Sequence, residues 1–112
     1  MSHPLDQTLL ALAEPTRRAV VELLSAQPLC SSDIADALAT SRPTMSRHLR
    51  VLREAGLVEE ESLGEDARVR VYQLRKEPFS ELRAWVSEME AFWGVQLQAF
   101  KAHAEKRSRS RR

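Results

Sequence analysis

The residues with the most pointed chemistry lie in Thr40-Ser-Arg-Pro-Thr-Met-Ser-Arg-His-Leu-Arg-Val-Leu-Arg-Glu-Ala-Gly-Leu-Val58. Arg42, Arg47, Arg50 and Arg53 stand there with no acid between Ser41 and Arg53. Guanidinium groups pair with phosphate oxygens and, in bidentate fashion, with the O6/N7 edge of guanine. The short hydroxyl side chains Ser41, Thr44 and Ser46 suit contacts to phosphate or base edges. A basic, acid-free surface of this kind points to nucleic acid. The other reactive group is Cys30, the single cysteine of the chain. One thiol excludes an internal disulfide framework and fits a reducing cytoplasm.

A helix has to present those arginines. Ser41 is a good N-cap, Pro43 is tolerated in a first turn, and Gly56 suits a left-handed C-terminal stop. Met45, Leu49 and Leu52 fall at i, i+4 and i+7 and form one apolar stripe. Upstream, a helix from about Leu5 to Ala13 carries Leu5, Leu9 and Leu12 on one face, and Pro15 punctuates it. A second helix, Thr16–Ser25, has Val20, Leu23 and Leu24 apolar, and Gln27-Pro28 breaks it. A third starts near Cys30-Ser-Ser-Asp33 and carries Ile34, Ala37 and Leu38. Ala39-Thr40 joins it tightly to the 41–55 helix, and two helices so joined make a helix-turn-helix. Downstream, Leu57–Glu61 and Val69–Leu74 read as strands around a loop at Leu63–Ala67, with Val69, Val71 and Gln73 alternating against Arg70, Tyr72 and Leu74. The fold class expected is mostly α with a small β-hairpin, a winged helix-turn-helix.

Pro78 opens a long helix expected to reach about Glu105. Leu82, Val86, Met89, Trp93 and Phe100 recur at steps of three, four or seven, and Trp85, Phe92 and Leu97 widen the stripe. One reading packs both tryptophans on the chain's own core. The reading preferred here is a dimerisation helix, because the stripe outruns the small core available, with the Leu5–Leu12 face sharing that interface. Gly94 marks either a close helix approach or a bend.

The chain has 112 residues, which implies one domain, residues 1–105, followed by a basic tail, 106–112, expected to be disordered. The net charge of +1 is unremarkable. Its distribution is not, since basic residues gather in 41–53 and in the tail. The N-terminus lacks the features of a signal peptide and no apolar run has membrane-spanning length, so a cytoplasmic protein without membrane partners is expected. There is no Gly-rich phosphate loop, metal-ligand cluster or nucleophile–base spacing, which argues against an enzyme and against a cofactor.

Three stretches together, Ala11–Arg18 leading into Val20–Leu24, Leu29–Leu38 and Ser41–Val58, resemble the ArsR/SmtB family of bacterial winged-helix repressors over roughly residues 5–105. The aromatic terminal helix is similar to the branch without an evident metal site. The resemblance implies a homodimer on a palindromic operator in double-stranded DNA, each recognition helix in a major groove, with flanking wings. By position, Ser41, Arg42, Thr44, Ser46 and Arg47 become the recognition residues. Arg42 stands where many relatives carry Gln, which exchanges an adenine-type group for a guanine-type one. His48 is a phosphate or packing contact. Arg50 and Arg53 either touch DNA or sit on the surface, paired with Glu54 or Glu22. The wing departs from the usual basic pattern, with Gly64-Glu65-Asp66 at its tip after Glu59-Glu60-Glu61, and leaves Arg68 and Arg70 as backbone anchors.

The family's sensor positions are largely unfilled. Cys30 matches the first thiolate of the metal-sensing version, and Ser32 stands where a second would be. One sulfur is a poor soft-metal site, and His3, His48 and His103 supply no partner at ligand spacing. Cys30 at a helix start is either a tolerated capping-position residue or a redox-responsive thiol. Two alternatives to a plain repressor therefore stand. One is a metal- or thiol-responsive repressor sensing through Cys30, with the effector itself unknown. The other is a protein-interaction module that has lost DNA binding, as the acidic wing suggests.

Overall fold

In the computed structural model, residues 3–62, 64–65 and 70–110 are described. Their elements run α1 (Pro4–Leu12), α2 (Pro15–Ala26), α3 (Ser31–Ala37), α4 (Arg42–Glu54), β1 (Val58–Ser62), β2 (Arg70–Leu74) and α5 (Lys76–Ser110). The chain divides into two units, residues 1–80 and 81–112.

The first unit is built on one apolar cluster. Val20 from α2, Ile34 and Ala35 from α3, Met45, Leu49 and Leu52 from α4, and Leu57 and Val58 beyond it are all essentially buried. The i, i+4, i+7 stripe of α4 is thus the side that enters the core, as its spacing predicts. Full burial of a leucine of this kind contributes roughly 1.5–3 kcal/mol.

α1 packs differently from its leucine spacing. Thr8 and Ala11 are its buried residues, the Thr8 hydroxyl donating to the Pro4 carbonyl at 3.2 Å. Leu12 packs against the core, whereas Leu9 is 41% exposed. Leu5, Leu9 and Leu12 share one side of α1 by their spacing, and along that side Leu5 and Leu12 are half-buried while Leu9 is exposed. Small side chains win the inward positions because α1 and α2 meet there. Two arginines of α2 close the turn between them. Arg17 Nε donates to the Ala11 carbonyl at 2.6 Å and Arg18 donates to the Leu12 carbonyl at 2.7 Å. Cations on the last carbonyls of a helix satisfy acceptors that have no intrahelical partner.

β1 and β2 pair antiparallel, with Val58 opposite Leu74 and Glu60 opposite Tyr72. The core side of β2 is that of Tyr72 and Leu74, and Val71, also buried, lies on the opposite face by the two-residue period. The Leu29 N–H and carbonyl exchange hydrogen bonds with Tyr72 at 3.2 and 2.8 Å, holding β2 from its other edge.

α5 begins at Lys76, which places Pro78 in its first turn, where a missing N–H costs nothing. Phe79 packs against the core of the first unit. The second unit is the rest of α5, helical through Ser110, past the boundary expected near Glu105 and into the basic tail. From Arg83 to Arg109 every residue is exposed. No helix among the described residues is long and apolar enough to cross a membrane.

Candidate nucleic-acid interface

Two tight stops set the position of α4. At the end of α3, Thr40 N–H bonds the Ala35 carbonyl at 2.9 Å and Ala39 N–H bonds the Asp36 carbonyl at 3.2 Å. At the end of α4, Leu57 N–H bonds the Leu52 carbonyl at 2.9 Å and Gly56 N–H bonds the Arg53 carbonyl at 3.0 Å. Both are Schellman closures, which require a left-handed residue. Gly56 takes it without cost at φ 79°, while Ala39 takes it at φ 51° and carries a Cβ penalty of roughly 1–2 kcal/mol. Leu52 and Leu57, both fully buried, supply the apolar contact that accompanies the second closure.

The start of α4 is capped as its residues predict. Ser41 Oγ accepts from Thr44 N–H at 3.3 Å and donates to Thr44 Oγ1 at 2.9 Å. With Met45, Leu49 and Leu52 inward, Ser41, Arg42, Thr44, Ser46, Arg47 and Arg50 are all exposed. Arg42, Arg47 and Arg50 have no carboxylate partner among the described residues. The outer side of the helix is therefore a surface of free guanidiniums and hydroxyls.

His48 departs from that surface. It is partly buried, its Nδ1 3.9 Å from Glu14 Oε2. Glu14 is the N-cap of α2 and accepts from Arg17 N–H at 2.9 Å. Partial burial pushes the Glu14 carboxyl up, but the Arg17 N–H, His48, the Thr16 N–H and the Arg17 guanidinium outweigh it and hold it below the usual carboxylate range. His48 thus lies between α4 and the start of α2, beside Glu14.

The hairpin spends its charges on itself. Arg53, at the end of α4, donates to Glu60 Oε2 at 2.7 Å, and Arg70 donates to Glu60 Oε1 at 3.2 Å. Gln73 Nε2 donates to Glu59 at 2.8 Å and to Glu61 at 3.0 Å. Arg53 finds neither of its expected partners, Glu54 and Glu22. Arg70, a candidate backbone anchor, is bound to Glu60. Arg68, the other wing candidate, and Asp66 of the wing tip lie outside the described residues. Glu60 is the site residue that the sequence reading missed, and only the strand register could have revealed it.

No group of three metal-ligating side chains exists among the described residues. Cys30 is the N-cap of α3, partly buried, with Sγ 3.2 Å from Ser32 Oγ. The candidate interfacial residues of α5 are exposed, among them Trp85 (42%), Phe92 (58%), Trp93 (62%) and Phe100 (73%), as are Val86 and Met89. Leu82 and Leu5 are half-buried.

Comparison with known proteins agrees with this geometry. A helix-turn-helix domain family model matches residues 12–61. The chain is 41% identical over 95 residues to the HTH-type transcriptional regulator Rv2034 of Mycobacterium tuberculosis, covering 85% of this chain and 83% of that protein. It is 37% identical to the HTH-type transcriptional repressor SmtB of Mycobacterium tuberculosis over 65 residues, which is 58% of this chain and 48% of that protein. Among solved structures, an ArsR family transcriptional regulator superposes with a TM-score of 0.73 at 34% identity, covering 82% of this chain and 98% of that one. An ArsR-like transcriptional regulator from Rhodococcus sp. RHA1 gives 0.75 at 26% identity, covering 88% and 90%. These relatives are transcriptional regulators rather than enzymes. With its helix-turn-helix, paired hairpin and long terminal helix, the chain belongs to the ArsR/SmtB family of winged-helix, DNA-binding transcriptional regulators.

Proposed function

We propose that the chain is a homodimeric repressor that occupies a palindromic operator through α4. The observation that carries this reading is the outer side of α4, where Arg42, Arg47 and Arg50 are exposed without carboxylate partners while the apolar side is locked in the core. Arg47 and Arg50 lie opposite the buried stripe and supply phosphate contacts with Ser41, Thr44 and Ser46. Arg42, in the first turn, reaches a guanine edge. The exposed apolar side of α5 pairs with that of a second copy, which sets two recognition helices at the spacing of two half-sites. No cofactor takes part.

Selection of binding duplexes from a random pool, followed by titration at several salt concentrations, tests the reading. A twofold-symmetric consensus and a linear fall of log affinity with log salt are expected. Arg42→Ala relaxes preference at one base position per half-site and costs roughly 1–3 kcal/mol there. Equal binding to all duplexes, or binding without a salt slope, contradicts the proposal.

A further inference from the structure

Glu60 stands where α4 meets the hairpin. Its two carboxylate oxygens are each taken by an arginine, Oε2 by Arg53 and Oε1 by Arg70. Its side chain is only 17% exposed, while those of Arg53 and Arg70 are 53% and 60% exposed. The strand period puts Glu60 and Arg70 on the same side of the hairpin as Val58, Tyr72 and Leu74, the side that packs on the core. The carboxylate is therefore held by the sheet, and the flexible guanidiniums come to it. Releasing either arginine leaves a mostly buried carboxylate oxygen without its donor, which opposes transfer of that arginine to a phosphate. The neighbouring acids differ. Glu61 is exposed, lies on the opposite face and holds Gln73, with no arginine partner among the described residues.

We propose that Glu60 is a positioning residue for DNA recognition, which holds Arg53 and Arg70 away from the phosphate backbone and leaves contact to the free arginines of α4. This rests on the DNA-binding reading above. Phosphate contacts carry affinity but no sequence information, whereas Arg42 in the first turn of α4 faces base edges. Withholding two arginines per protomer lowers binding to any sequence and raises the ratio of specific to nonspecific binding. The acidic first strand is then part of the recognition device, since its central carboxylate restrains cations that a basic wing would spend on phosphate.

The test uses the full chain and two duplexes, one selected by the wild-type chain from a random pool and one scrambled. Log affinity is followed against log salt for the wild type, Glu60→Gln, Glu61→Gln and Glu60→Gln/Arg53→Ala. Glu60→Gln is expected to steepen the slope by about 0.9 for each arginine released, and to narrow the specific-to-nonspecific ratio several-fold. Glu61→Gln removes the same charge without releasing an arginine and keeps the wild-type slope. Adding Arg53→Ala to Glu60→Gln takes back about 0.9 per protomer. Equal slopes for Glu60→Gln and Glu61→Gln overturn the proposal. Arg53→Ala and Arg70→Ala in the wild-type background give a second test that leaves Glu60 in place. Both are expected to keep the slope, and a shallower slope in either also overturns the proposal. A wild-type chain that binds neither duplex overturns the DNA-binding reading itself, an outcome distinct from unchanged slopes in a chain that binds.

Discussion

α4 and α5 are both amphipathic helices, and they leave opposite faces free. α4 buries Met45, Leu49 and Leu52 and turns its arginines outward. α5 beyond Ser80 leaves Trp85, Phe92, Trp93 and Phe100 exposed along its length. A surface of unpaired guanidiniums is stable in water and calls for an anion. A stripe of exposed aromatic side chains is costly in water and calls for another apolar surface. The free face of each helix therefore indicates the chemistry of what covers it in the proposed repressor, polyanionic DNA for α4 and a second copy of α5 for α5. The same reasoning separates α4 from the hairpin, where every described arginine already has a carboxylate.

The largest expected effect falls on the buried side of α4. Leu49→Ala lowers the unfolding free energy by about 2–5 kcal/mol, measured by urea denaturation. Leu97→Ala on α5 leaves the same transition unchanged in dilute protein, because Leu97 is 60% exposed in the single chain. A comparable loss from both substitutions would erase the contrast between the two helices.

Next in size is Trp93→Ala. Central aromatic residues at interfaces cost about 2 kcal/mol or more when truncated, which is roughly a 30-fold weaker dimer. Sedimentation equilibrium measures it. Unchanged association would remove α5 from the interface.

Ala39→Gly sharpens the account of how α4 is placed. The left-handed penalty at Ala39 disappears, Gly costs some backbone entropy, and a net gain of about 0.5–1 kcal/mol in thermal unfolding is expected. A loss would show that the Cβ of Ala39 is not strained in the turn between α3 and α4.

The smallest effect concerns Glu14, which joins α4 to α2 through His48. Its carboxyl titrates lower in the folded chain than in the unfolded one. Its contribution is therefore fully present above the ordinary glutamate value of about 4.3 and is lost as pH falls through the lower folded value. Melting temperatures of the wild type and Glu14→Gln should differ at neutral pH and converge in acid. Parallel curves would mean that Glu14 contributes only by packing.

Much of this was legible in the sequence because it depends on local rules. The α4 cap at Ser41, its stop at Gly56 and its buried stripe follow from residue types at helical spacing. The hairpin was legible too, but not the backbone bridge from Leu29, distant in sequence, to Tyr72. In α1 the spacing of Leu5, Leu9 and Leu12 marks one side, but it does not show that Thr8 and Ala11 are the buried residues, which close approach to α2 selects. The partner of Arg53 was missed for a similar reason. Helical i, i+4 rules point to neighbours on the same helix, whereas Glu60 arrives from the next element after the Gly56 turn. His48 sat among DNA-facing residues in the sequence, and only the packing of α2 shows that it turns toward Glu14.

The central claim is that the outer side of α4 binds DNA. Its most direct test is the salt dependence of operator binding for Arg47→Ala/Arg50→Ala beside the wild type. The account predicts a folded protein whose log–log slope is shallower by about 0.9 for each arginine lost and whose affinity falls for every sequence alike. A folded double variant with the wild-type slope and affinity would contradict it.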